Sequence, residues 1–111
     1  MYAIIFLGNH EVMREAIFAE EKTTFARAAF AAGQYTVTAP IDVGDMPAGD
    51  VAEEMFDLTN NPSRQEEREQ KYGRGRSLSV GDIVCLTTGE MYVCCSFGWE
   101  KLWPLNNGAI Q

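Results

Sequence analysis

The chain has 111 residues, 46% of them apolar and 11% aromatic, which is one domain's worth of residues with material for a real core and argues against global disorder. No apolar run approaches the roughly 18 residues a membrane helix needs, and the apolar start Tyr2-Ala3-Ile4-Ile5-Phe6-Leu7 has neither a preceding basic residue nor a following cleavage signal, so it reads as a buried strand of a soluble, cytoplasmic protein rather than a signal peptide. The net charge of −7 disfavours non-specific nucleic-acid binding, because phosphates must be met by bases.

Taken in order, Tyr2–Leu7 is the first strand and Gly8-Asn9-His10 a turn. Glu11–Ala19 has helical composition in part, and a second strand is expected near Ala16–Ala19, pairing back onto the first. Thr24–Ala32 predicts a helix, with Phe25, Ala28, Ala29 and Ala32 on one face, Thr23 or Thr24 at its start and Gly33 at its end. Tyr35-Thr36-Val37-Thr38 alternates with period two and reads as a strand that Pro40 stops.

Asp42–Gly49 is read as a loop, and Asp50 as the cap of a helix over Val51–Leu58. Val51, Met55 and Leu58 form its apolar stripe, and Asp50, Glu53, Glu54 and Asp57 leave its other side acidic. Ser63–Arg76 has almost no apolar content and is expected to be a charged, mobile loop containing a helical turn at Gln65–Gln70. Gly81-Asp82 is turn chemistry, and it introduces a hairpin of Ile83–Thr87 with Met91–Ser96. Trp99 and Leu102 anchor a last short strand, and residues 104–111 form a tail. The expectation is a single α+β domain over residues 1–111, a small antiparallel sheet with two helices packed on one face.

Several residues are candidates for function. Residues 42–70 hold nine acids against Arg64 and Arg68, so this segment alone carries the whole net charge of −7. Asp50, Glu53, Glu54, Asp57, Glu66 and Glu67 are the candidate docking residues for a basic protein partner, since complementary charge speeds association. Arg74 and Arg76 beside Ser77 and Ser79 offer an alternative anion site for a phosphate or nucleic acid, weighed against a structural role in which the serines and Asp82 satisfy turn donors. Cys85, Cys94 and Cys95 are odd in number, and adjacent strand positions face opposite ways, so no disulfide framework is expected. His10 is the only histidine. No metal-ligand spacing and no nucleophile–base pair stands out, so neither a cofactor nor catalysis is expected.

Met55-Phe56-Asp57-Leu58-Thr59-Asn60, then Gly75-Arg76-Ser77-Leu78-Ser79-Val80-Gly81-Asp82-Ile83-Val84, then Tyr92-Val93 and Ser96-Phe97-Gly98-Trp99 resemble the YodL-like domains. The resemblance spans residues 51–102 in the right order. Gly81, Thr59 and Cys95 depart from the family pattern. It implies an α+β domain in a phage, plasmid or conjugative-element setting, and it carries over no catalytic residue. The functional expectation is a non-catalytic interaction module, an inhibitor that mimics nucleic-acid charge being one version.

Overall fold

The computed structural model describes residues 1–103. Its strands are β1 (Tyr2–Gly8), β2 (Tyr35–Val37), β3 (Ile41–Asp42), β4 (Ile83–Leu86), β5 (Met91–Cys94) and β6 (Trp99–Trp103). Its α-helices are α1 (His10–Glu15), α2 (Lys22–Ala31), α3 (Ala48–Asn60) and α4 (Gln65–Lys71). The strands form one antiparallel sheet in the order β2-β1-β4-β5-β6, with β3 beside β2 on the same side of β1. The α+β class and the antiparallel sheet are those expected from the sequence.

The expected hairpin is present. Ile83 lies opposite Val93 and Val84 opposite Tyr92. The long apolar β1 is central because both of its edges are used: β4 takes one, and β2 and β3 share the other. That leaves no edge for a strand at Ala16–Ala19. Asn9 instead caps a helix, accepting a hydrogen bond from Val12 N at 3.0 Å, and a single 3-10 turn follows at Ala16–Phe18. Val12 and Ala16 are four apart and both buried, which is helical spacing.

The two longer helices do not share a face of the sheet. Ile5, Val84 and Leu86 pack with Val51, Met55 and Leu58 of α3. Ile83, Val93 and Leu102 point the other way and pack with Ala26 of α2. Neighbours on β4 are therefore buried on both sides, which is why its sequence is a continuous apolar run rather than an alternation. On α2 the buried positions are Ala26 and Ala29, while Ala28 and Ala32 are exposed. Small residues at 26 and 29 let the helix approach the sheet closely. Its end follows expectation: Gly33 takes φ +73°, its N–H donates to Phe30 O and the Gln34 N–H to Ala29 O, a Schellman closure.

On α3 the apolar stripe Val51, Met55 and Leu58 is buried as read, joined by Ala52 and Thr59. The helix starts earlier than expected. Pro47 is its N-cap, and Asp50 sits inside the first turn, where it meets the positive end of the helix dipole. Ile41–Asp42, expected in a loop, adds a two-residue strand. Within Ser63–Arg76 the expected helical turn is present as α4, and a 3-10 turn at Pro62–Arg64 leads into it. The tail expected at 104–111 lies outside the described residues.

Met55 is 1% exposed at the centre of the α3 contact, so Met55→Ala is expected to cost about 2–5 kcal/mol. Glu53 is exposed on the far side of the same helix, and Glu53→Ala is expected to cost less than about 0.5 kcal/mol. Denaturant midpoints of the two variants check the difference.

Candidate functional site

The sequence from Arg76 to Asp82 folds into a polar knot. Asp82 is 0% exposed. Its Oδ1 accepts from Gly8 N at 2.8 Å and from Arg76 Nη2 at 2.8 Å. Its Oδ2 accepts from Arg76 Nη1 at 2.6 Å and from Ser79 N at 2.8 Å. Arg76 also donates to Gly8 O at 2.7 Å and Ser77 O at 3.0 Å. A buried carboxylate needs a charged partner and filled lone pairs, and both are supplied here. The hydrogen bonds to Asp82 raise the Arg76 pKa above its ordinary value, against the opposing effect of burial.

Gly81 is required for this turn. Its φ is +95°, and a Cβ there would lie 2.6 Å from Ala16 Cβ. Its N–H donates to Cys94 O, and the Cys94 N–H donates to Asp82 O. Tyr35 Oη donates to Gly81 O at 2.7 Å. Burial first, and Asp82 second, push the Tyr35 pKa up. The hydroxyl of Ser77 donates to Thr59 O at 2.6 Å, and Thr59 Oγ1 accepts from Leu78 N at 3.1 Å. Asn60 Nδ2 donates to Leu78 O, so the end of α3 is stitched to the same segment.

This placement bears directly on the alternative anion site. Arg76 is engaged by the protein's own Asp82, and Ser77 by Thr59. Ser79 contributes its backbone N–H to Asp82, and its hydroxyl lies 3.4 Å from Arg76 Nη1. Arg74 is exposed and forms no ion pair among the described residues. The four residues therefore do not converge on an open pocket.

The acidic candidates fall into two groups. Glu54, Asp57 and Glu67 converge on Arg64, at 2.6, 2.8 and 2.9 Å. Lys71 adds a second cation to Glu67 at 2.9 Å. The hydrogen bonds that Arg64 donates to Glu54, then Glu67, then Asp57 raise its pKa. The bonds that Glu67 accepts from Arg64 and then Lys71 lower its pKa to about 2. Asp50 and Glu53 stay outside this cluster. Together with Glu54, Asp57 and the half-buried Met46 they line a depression of about 440 Å³ on the outer side of α3. A second depression of about 450 Å³, lined by Asp42, Val43, Gly44, Met46, Glu54 and Lys71, adjoins it. Glu66 is exposed on α4 and lines neither.

Sequence reasoning missed Met46 as the floor of this trough and Arg64 as its clamp. Arg64 was legible only as one of two bases in an acidic run. The chain segment after α4 is fixed by Arg68, whose guanidinium donates to Thr59 O, Gly73 O and Gly75 O and lies 5.1 Å from the centre of the Tyr72 ring. Cys94 and Cys95 face opposite ways, and burial, then Asp82, pushes the Cys94 thiol up to about 12. Burial likewise raises Cys85 and Cys95. All three are therefore thiols at neutral pH and poor nucleophiles. Among the described residues no group of three or more His, Cys, Asp or Glu is placed to hold a metal ion.

No protein-family model matches the chain, and no curated protein and no solved structure is significantly similar to it.

Two outcomes follow for stability. Arg76→Met or Asp82→Leu alone is expected to cost about 3–5 kcal/mol, since each leaves buried polar groups unmet. The double variant is not expected to recover stability, because Gly8 N and Ser79 N lose their acceptor at about 1–3 kcal/mol each; chemical denaturation of all three variants checks this. Glu67 has a folded pKa of about 2 against an ordinary 4.5. Its contribution is complete above pH 4.5 and is lost as pH falls from there towards 2. Glu67→Gln should flatten that limb of a plot of thermal midpoint against pH.

Proposed function

We propose that this protein acts by binding rather than by catalysis, and that the acidic trough on α3 is where a basic protein partner docks. The observation that carries the proposal is the convergence of Asp50, Glu53, Glu54 and Asp57 around Met46 in an open depression of about 440 Å³. A lysine or arginine side chain suits such a place. Its methylene stem packs on a methionine, and its charged head reaches the carboxylates. Arg64 and Lys71 supply two positive charges to Glu54, Asp57 and Glu67, and with Asp50 and Glu53 outside those pairs the trough keeps a negative excess that an incoming cation can offset.

The same surface chemistry suits a partner whose usual ligand is a nucleic acid, because arrayed carboxylates can stand in for phosphates on a basic groove. The likeness to YodL-like domains points to a mobile-element setting, with a host nucleic-acid-handling or defence protein as the partner class. The Arg74/Arg76 alternative is the weaker one, since Arg76 already holds a carboxylate.

The test is titration of the full-length protein with oligolysine at low and at raised ionic strength. Association that weakens steeply with salt is expected, and Asp50→Lys with Glu53→Lys should reduce affinity about tenfold or more while leaving the thermal midpoint within a few degrees. An unchanged affinity in that variant would reduce the trough to a solubilising surface.

A further inference from the structure

Three large apolar side chains lie uncovered at one end of the molecule. Phe97 is 98% exposed, Phe18 83% and Ile17 56%. Single exposed apolar residues are ordinary, but a group of them marks a contact surface. Phe97 is on the turn between β5 and β6, and Ile17 and Phe18 are on the 3-10 turn after α1. The two turns are brought to the same end by the polar knot. Ala16 packs on Gly81, and Gly81 N donates to Cys94 O. Lys22, next to the first turn, is near enough to Cys95 for its charge to oppose the upward effects of burial and Glu100 on that thiol.

The surroundings are acidic. Glu20 and Glu21 lie two and three residues after Phe18, and Glu100 follows the β5–β6 turn. Lys22 is spent internally, with Nζ donating to Ile17 O at 3.1 Å and Ala19 O at 2.6 Å. The turn is also continuous with the trough, because Glu53 and Phe56 of α3 share a small cavity of about 130 Å³ with Cys94, Cys95, Ser96, Gly98 and Trp99. Acids around apolar side chains repel an anionic membrane and attract a basic protein.

From this juxtaposition we infer that Ile17, Phe18 and Phe97 form the apolar half of the docking surface, and that the partner presents a basic amphipathic segment. Its cations meet Glu53 and the trough, and its apolar face covers the two phenylalanines. The inference rests on the trough as a docking site and adds to it the part of the surface that sets specificity. Cys94 accepts a backbone bond from Gly81 and donates one to Asp82, which hold the start of the β5–β6 turn in place, so little ordering cost is expected on binding.

The experiment uses the full-length protein, a synthetic leucine–lysine peptide patterned as an amphipathic helix, and a scrambled peptide of the same composition. Affinities are measured at low salt. Binding about tenfold tighter for the amphipathic peptide, worth about 1.4 kcal/mol, is expected, and Phe18→Ser with Phe97→Ser should abolish that preference while the shared salt dependence remains. Both residues are exposed, so an unchanged thermal midpoint is the control for folding. Equal binding of the two peptides, or a preference that survives the double serine variant, overturns the inference and leaves the trough standing. A preference that survives Asp50→Lys with Glu53→Lys overturns the trough and with it the basic partner. Phenylalanine-dependent binding to phosphatidylcholine vesicles containing phosphatidylglycerol would overturn the partner class, because it would make the tip a membrane contact.

Discussion

The bidentate pair between Arg76 and Asp82 is the constraint on which the rest depends. Asp82 receives four hydrogen bonds while 0% exposed, and each donor comes from a place the fold must bring together: the end of β1, the turn before β4, and the segment leaving α4. Many buried ion pairs contribute little net stability compared with an apolar replacement of equal shape, but this one also serves the Gly8 and Ser79 backbone groups, which an apolar pair would leave unmet. What it does here is fix geometry. Arg76 and Asp82 each bond Gly8, through its carbonyl and its N–H, so the central strand can end in only one way against the β4 turn. Gly81 then hands the same geometry to β5 through Cys94, and Thr59 and Asn60 hand it to α3.

The arginines between 64 and 76 show how a stretch with Tyr72 as its one large apolar side chain is held in place. Arg64 gathers three carboxylates from α3 and α4. Arg68 bonds three backbone carbonyls and stacks on Tyr72, and Arg76 takes Asp82. The planar guanidinium fork suits each of these multi-point contacts better than lysine would. Hydrophobic burial is supplied elsewhere, by the two faces of the sheet. The charged segment is held by directional bonds, and the acids that find no internal cation, Asp50 and Glu53 among them, remain on the outside as the negative trough.

Much of the sheet was legible because strands with branched apolar residues and glycine turns announce themselves locally. Ile83–Leu86 and Met91–Cys94 pair as their sequences indicate, and the α3 stripe falls where a 3.6-residue period puts it. Four things were not local. The sides taken by α2 and α3 are set by connectivity, and a strand buried on both faces, such as Ile83-Val84, carries no alternation to reveal them. Ala16–Phe18 has strand-like side chains, but tertiary pairing had already filled both edges of β1. Arg76 and Asp82 are six apart across an irregular segment, a spacing with no helix or strand period, so their partnership was hidden although the need was visible: an aspartate directly before a run of buried apolar residues must be met by something. The acidic residues of α3 were legible as a group, but which of them Arg64 would claim depended on the position of α4.

The same reasoning separates what the fold consumes from what it leaves over. Ser77, Ser79, Arg76 and Asp82 form the densest polar motif in the sequence, and all of them are absorbed in holding strands and helices together. Phe97 is the opposite case. At 98% exposure it contributes almost nothing to the core, and hydrophobic stabilisation scales with area removed from water, so folding alone gives no reason for a phenylalanine at that turn. Phe18 is in the same position at 83%. Both sit on turns whose backbone is tied, directly or through Ala16, to the buried knot around Gly81 and Asp82. Side chains that the core does not need, presented from backbone that the core holds still, are what a recognition surface requires, and the β5–β6 turn that carries Phe97 shares a small cavity with Glu53, a carboxylate that the internal arginines have left unpaired.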